Sequence, residues 1–446
     1  MTTVPASPWF RYRPWMLPLV SVLCAAGMWT YVDRVLIPYQ VSDAAAHDRP
    51  RGNLSDLYPR WLGARELLLR GRDPYGAEVS REIEAGYYGR ALDPSRAGDP
   101  SDEQGFAYPV YVVFLLAPTI GLRFAIVQRG FFWILVVLTC GSTLLWLRVL
   151  RWPVTFWSQV SLLTLTLGSV AVMQGLKLQQ MSLLVAGLLA IALTLLVADY
   201  LVAAGVLLAL ASIKPQLVVL LLAWLAIWTV ADWRRRYRCA ASFLLTMAVL
   251  CAGSEWYLPH WIPRFWHAIH EYQRYTGARS VLDTLLGAPS IKGLWIWSWA
   301  LELLAFAAMM GVCWRERRQG ANTATFAYTV GLVLATTVLL IPMCAPYNQV
   351  LLIPAVLVLV RERRMIWQRS IANRALLAIT AGLIFWPWLS SIVLAGFSFI
   401  LPRETVERAW AIPFWTATQI PVGVAALILI HYYQRTFTAP AKPAAS

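Results

Sequence analysis

Thirteen apolar segments alternate with short polar intervals along the chain. They lie near 15–36, 107–121, 124–147, 154–173, 179–198, 201–213, 215–231, 239–255, 291–313, 323–342, 348–360, 374–397 and 412–431. A crossing helix needs about 20 apolar residues, and most of these segments approach that length. One long hydrophilic interval breaks the series, residues 37–107, and a second of about half that size follows at 255–290. The pattern predicts an all-α polytopic membrane protein: one transmembrane domain over 1–446 with two sizeable loops.

The long interval carries its own helical signals. Ser55 and Asp56 are residue types that start helices, and Pro59 falls in the first turn, where a missing N–H does no harm. Leu57, Trp61, Ala64, Leu67 and Leu68 then recur at helical spacing, while Arg60, Arg65, Glu66 and Arg70 fall elsewhere. Gly71 stops this helix and Asp73-Pro74-Tyr75-Gly76 forms a turn. The reading is an amphipathic surface helix over Leu57–Arg70, followed by another over Glu78–Gly89 and a loop rich in Asp, Pro, Ser and Gly.

Charge sets the expected topology. Arginines cluster at 234–238, 315–318 and 361–364, and the short N-terminal stretch carries Arg11 and Arg13. Thirteen crossings would put the 234–238 cluster outside, against the excess of positive charge on cytoplasmic loops. One segment must then fail to cross. Residues 107–121 are the preferred one, as a re-entrant or surface helix; the alternative joins 201–231 into one broken helix. Both give twelve spans with both termini inside and 37–107 outside. The first apolar segment is longer than a signal-peptide core, and Leu23 before Cys24 argues against a lipoprotein site, so it is expected to remain.

Composition agrees with this class: 59% of the residues are hydrophobic and only 14% are charged. The net charge of +15 does not point to nucleic acid, because the arginines sit between apolar segments. The six cysteines lie in or beside those segments without a CxxC pair and read as small core residues. His260, His267 and His270 match no zinc-binding spacing, and the 255–290 loop is better explained as interfacial aromatics with basic residues. No Walker A loop, Rossmann fingerprint or GxSxG elbow is present.

On the expected external face several polar groups converge. Asp56 is the candidate general base, although an acid at a helix start also serves as a cap. Lys177, Lys214, Arg264 and Arg274 are candidate cations for a phosphate, with snorkelling the plainer account of either lysine. Lys177 and Lys214 adjoin polar breaks, Gly175–Gln180 and Lys214-Pro215, of the kind that forms ion sites in membranes. Tyr58, Tyr108, Gln179, Gln180, His260, His267, Tyr347 and Asn348 are candidate substrate contacts. Asp33 and Glu302 are acids inside apolar segments.

The segment Asp56-Leu57-Tyr58 to Leu67-Leu68, then Gly71-Arg72-Asp73-Pro74-Tyr75, Phe106-Ala107-Tyr108-Pro109 and Pro118, with the breaks at 175–180 and Lys214-Pro215, resembles the GT-C class of membrane glycosyltransferases. Within it the chain resembles glycosyltransferase family 87, the polyprenyl-phosphate-mannose-dependent α-mannosyltransferase type, over residues 50–235. The Gly175–Gln180 motif departs from that family's glycine-glutamine-asparagine pattern, and one proline follows Tyr108 where two are usual. The resemblance implies a multi-pass cell-membrane enzyme, in the bacterial plasma or inner membrane, with its active site facing outward or into the periplasm. A sugar on a polyprenyl phosphate would pass, with inversion, to a lipid or glycan acceptor deprotonated by Asp56, with membrane lipids as surroundings. The scheme needs no cofactor; a divalent ion is compatible with it, but the sequence presents no clear site for one. A transporter or flippase of lipid-linked sugars is the alternative from another class, opposed by the absence of an internal repeat; a lipid-linked glycan polymerase or ligase is a third reading.

Overall fold

The computed structural model describes residues 15–49, 55–93, 95–96, 99, 104–287 and 293–437. The stretch 1–14, read above as cytoplasmic, lies outside the described residues, as do Asn53 and parts of the 91–105 loop. Among the described residues the regular elements are all helical.

The first helix, α1 (Met16–Ala46), runs ten residues past the expected end of the first span. It contains one π turn, Val32–Leu36. Pro38 explains its place: a proline ring clashes with the carbonyl four residues back, here Arg34, and the widened turn accommodates that. The loop region follows with α2 (Leu57–Arg70) and α3 (Ala77–Tyr88), each within a residue of expectation. Gly71 ends α2 at φ +65°, the left-handed region open to glycine, and Asp73 O accepts the Gly76 N–H at 3.1 Å to close the predicted turn. The expected lie of α2 is altered, however. Arg60 and Glu66, assigned to its polar side, are 6% and 2% exposed, so α2 is packed into the protein on both faces. Glu66 is compensated by Arg70 at 3.0 Å and Arg72 at 2.7 Å.

Residues 107–121 fold as a five-residue helix, α4 (Val112–Leu116), and a single 3-10 turn, Ala117–Thr119. Five residues rise only about 8 Å, against about 30 Å of hydrocarbon, so this segment does not cross. It packs under α2, whose Trp61 indole donates to Thr119 O at 3.2 Å.

The bundle then continues through α5 (Phe124–Val149), α6 (Phe156–Leu167), α7 (Val170–Lys177), α8 (Met181–Val197), α9 (Leu201–Ala211), α10 (Val219–Ala231) and α11 (Trp233–Tyr257). After α12 (Trp261–Thr276) and α13 (Val281–Leu286) come α14 (Leu294–Glu316), α15 (Ala324–Leu340), α16 (Ile353–Arg369) and α17 (Ile371–Phe397). The chain closes with α18 (Arg403–Glu407), α19 (Ile412–Ala417) and α20 (Ile420–Phe437). Among the described residues six stretches are long and apolar enough to cross a membrane, or seven if α6 and α7, bent by 56°, form one span. The expected count of twelve is not reached by length, because α8, α9, α10 and α15 are apolar but short.

The bend between α6 and α7 shows how a broken span is tolerated in lipid, where every backbone polar group needs a partner. The freed carbonyls of Leu167 and Gly168 accept the indole N–H groups of Trp29 at 3.3 Å and Trp388 at 2.6 Å. Ser169 Oγ accepts the Val172 N–H at 3.3 Å and caps the second half.

α9 and α10 flank the Lys214-Pro215 break. A Cβ on Gly205 of α9 would overlap Ser242 Oγ and the Cys239 carbonyl of α11, and farther along Ser212 Oγ meets Met247 Sδ at 3.3 Å. α9 and α11 therefore climb side by side in the same direction, and α10 descends between them in sequence. α11 continues ten residues beyond Met247, about 15 Å. The turn between α9 and α10, with Lys214, thus lies below the end of α11 by roughly that depth. Gly205→Ala is expected to cost about 1–3 kcal/mol, because backbone and not a flexible tip opposes the new methyl. Gly141→Ala, with nothing near its Cβ, is the control. Thermal unfolding of both in detergent reads the difference.

The arginine clusters gather at one end. Arg236, buried, donates to Arg317 O at 2.9 Å and Gln319 O at 3.0 Å, tying the first two clusters together. Tyr432 donates to Glu316, its neighbour His431 lies 3.6 Å from Glu362, and Arg361 donates to Leu150 O at 2.5 Å. The two polar breaks lie at the other end.

Candidate active site

The site begins where α2 meets the break between α7 and α8. The Asp56 N–H donates to Leu178 O at 2.9 Å and Ser55 Oγ to the same oxygen at 3.2 Å, which pins the start of α2 to that break. The break has a defined geometry. Gln179 ends α7 in the left-handed region at φ +47°, and the Gln180 N–H returns to Gly175 O at 2.8 Å. Gln180 then opens α8.

The Asp56 carboxylate does not cap its helix; Ser55 Oγ takes the Leu57 N–H instead, at 3.1 Å. Asp56 Oδ2 accepts from the Gln180 amide, and Oδ1 accepts from the Tyr87 hydroxyl at 3.4 Å. The other end of the Gln180 amide, Oε1, accepts from Lys214 Nζ at 3.3 Å. Lys214 also donates to Ser182 Oγ at 2.7 Å, Ser182 donates to Asn348 Oδ1 at 2.8 Å, and the ammonium lies 4.8 Å from the Tyr347 ring centre. Lys214, Gln180 and Asn348 are 3%, 3% and 1% exposed, while Asp56 keeps partial exposure.

Burial pushes the Asp56 carboxyl above its usual range; the charges of Arg60 and Lys214 and the bonds from Gln180 and Tyr87 pull it back in part. Arg60 stands one helical turn after Asp56. Its Nη1 donates to Asp56 O at 2.9 Å, and its guanidinium covers the Tyr108 ring at 4.6 Å. Arg60 was not among the residues singled out from the sequence, although its i+4 spacing from Asp56 places both on one helix face. Tyr87 and Ser182 were also passed over.

Three cavities meet here. A narrow one of about 150 Å³ is walled by Arg60, Tyr108, Gln180, Lys214 and Tyr347. It is roofed by Phe265, Ile269, Tyr272, Gln273 and Thr276, which recur on one face of α12. Ala107 and Tyr272 are shared with a polar cavity of about 1130 Å³ between α3 and α12, lined by Ser80, Glu84, Arg264 and His267 among others. Thr276 and Met343 are shared with a third, of about 440 Å³, whose lining combines Leu36, Phe414 and Trp415 with Lys177 and Arg279.

The other candidate residues are distributed around this centre. Lys177 binds Gln40 and faces the third cavity, away from Lys214. Arg264 pairs with Asp73 at 2.6 Å and His267 lines the polar cavity beside it. Arg274 is exposed and pairs with Glu271 at 2.6 Å, and His260, exposed, precedes α12. These five line no part of the narrow cavity. Gln179 Oε1 accepts from the Gln128 amide at 3.2 Å, and Tyr58 packs on Phe124 and against Gly86. Asp33 is exposed on the π turn, and Glu302 accepts from Ser280. Among the described residues no group of three His, Cys, Asp or Glu stands close enough to hold a metal.

No curated protein and no solved structure matches the chain. One family model does, over residues 106–342, more than half of the length. The match begins later than the 50–235 stretch that carries the resemblance in the sequence. It takes in Tyr108, Gln180, Lys214 and the α12 roof, while Asp56 reaches the same place from outside it. With the helical bundle and its membrane-crossing segments, that match identifies the chain as a membrane protein of the GT-C class, belonging to glycosyltransferase family 87.

Proposed function

We propose that the protein transfers a sugar, mannose being the candidate, from a polyprenyl phosphate to a hydroxyl of a lipid or glycan acceptor on the outer side of the membrane. The observation that carries this is a carboxylate linked by one amide to a buried ammonium, the amide and the ammonium both lining a narrow cavity. A displacement at an anomeric carbon needs a base for the acceptor and a cation for the leaving phosphate, and the amide holds one of each a side chain apart. The acceptor oxygen gives its proton to Asp56 and forms the new bond to the anomeric carbon. The bond from that carbon to the phosphate oxygen breaks on the opposite face, and polyprenyl phosphate leaves with the electron pair. Lys214 and Arg60 balance the charge that builds on it. The polar cavity suits a hydroxylated acceptor arriving from water, and the aromatic cavity beside Lys177 suits a lipid-borne donor arriving sideways.

Purified protein supplied with radiolabelled polyprenyl-phosphate mannose and a panel of acceptors should release polyprenyl phosphate and label an acceptor. A flippase would move the intact donor across proteoliposomes without consuming it, and that outcome would reverse the reading.

The reading places α2, α3 and the 91–105 loop outside and the arginine clusters inside. In a cysteine-free background, Ser95→Cys and Arg235→Cys, both exposed positions, should label from opposite sides of the membrane. Labelling of both from one side would overturn this orientation.

A further inference from the structure

We propose that Gln180 is an insulating amide, whose role is to keep Asp56 and Lys214 from closing into a direct ion pair before substrate arrives. This rests on the reading of Asp56 as base and Lys214 as donor cation. The geometry is specific: the neutral amide donates to Asp56 through Nε2 and accepts from Lys214 through Oε1 at 3.3 Å, so each charged group has a partner without meeting its opposite. The amide is itself fixed, since Gln180 is 3% exposed and its N–H is tied back to Gly175 O at 2.8 Å.

The need for such a spacer follows from the burial of Lys214 and the partial burial of Asp56. Away from bulk water a carboxylate and an ammonium within reach attract strongly. A direct pair would weaken Asp56 as a base and occupy the cation that the donor phosphate requires. Without the amide Lys214 keeps Ser182, through a neutral bond at 2.7 Å, and the Tyr347 ring at 4.8 Å, and neither offers it a countercharge. The other groups that face or act on Asp56 are Arg60 from α2, the Tyr87 hydroxyl from α3, Lys177 from α7, and the Tyr108 and Tyr347 phenols. Gln180 is thus a positioning residue: it acts through Asp56 and Lys214.

The test is the pH dependence of kcat/KM for radiolabelled polyprenyl-phosphate mannose, which reports ionisations of the free enzyme. In Gln180→Ala the pair closes, the folded pKa of Asp56 falls, and the acid limb should move down by at least about one pH unit. The apparent KM for donor should rise at least tenfold as Lys214 is drawn away. Gln180→Glu places a second carboxylate beside Asp56, and its acid limb should move up. In Gln180→Ala/Lys214→Gln no pair can form, so the limb should return upward, a reversal that a packing role for Gln180 would not produce. Acid limbs that stay in place in both single variants, while the wild type turns over donor, would overturn the insulating role. A wild type that transfers no sugar would instead overturn the function reading beneath it.

Discussion

Asp56→Asn should reduce turnover by about 10²–10⁴-fold while leaving folding and donor binding close to wild type, because a positioned general base typically contributes that much. The substitution is nearly isosteric, and Asn retains an oxygen for the Gln180 amide. Helix capping is unaffected, since Ser55 and not Asp56 accepts the Leu57 N–H. The loss therefore reads the proton transfer itself. Donor binding and steady-state turnover, measured on the same detergent-purified sample, check it. Asp73→Asn and Asp33→Asn are the controls. Asp73 pairs with Arg264 in a half-exposed contact, which is worth about 0–1 kcal/mol, and Asp33 is exposed on the π turn. Full activity in Asp56→Asn would remove the base from the mechanism. The pH profile supplies a second reading. Burial raises the Asp56 pKa in the folded protein, and the base works only when deprotonated. Activity should fall as pH drops, and the midpoint of that fall should lie above the usual carboxylate range.

Lys214→Gln should weaken donor binding by about 10–150-fold, the equivalent of about 1.5–3 kcal/mol for a hydrogen bond to a charged group. The change removes the positive charge and keeps a polar amide about one bond short of the ammonium position, so the loss reads chiefly the charge. Arg60 on the same cavity should retain part of the affinity, and Lys177→Gln, which faces a different cavity, should cost less. Equilibrium binding of a labelled polyprenyl phosphate separates these variants without depending on any acceptor. Unchanged affinity in Lys214→Gln would leave the lysine as a structural partner of Ser182 and Gln180.

Much of the frame was legible along the chain because its signals are local. The boundaries of α2 follow from Pro59 in the first turn and Gly71 at the end, and those of α3 from Gly76 and Gly89 around an amphipathic stretch. The failure of 107–121 to cross followed from its length and from the arginine parity. The polar breaks at Gly175–Gln180 and Lys214-Pro215 interrupt apolar runs, which is visible without coordinates. Hydropathy counts apolar residues in a window but does not record where a helix starts and stops, so α9 and α10, helices of 11 and 13 residues, read like the longer spans.

The sequence by itself therefore determined the membrane class, the helical register, the breaks, and the position of one acid at the head of one helix. Each of these depends on residues within a turn or two of one another. The tertiary structure decided which cation the acid would meet. Lys177, Lys214, Arg264 and Arg274 all stood as candidate cations on an expected outer face, with Lys214 favoured by its proline break. Only the crossing of α2 with the α7–α8 break, and of that break with the α9–α10 turn, joins Asp56 to Lys214 through Gln180. It also turned Arg60 inward, against the polarity of its type, because Tyr108 and the Asp56 carbonyl together replace the water it loses. Burial at that depth is a sum over segments more than a hundred residues apart, and no window along the chain contains it.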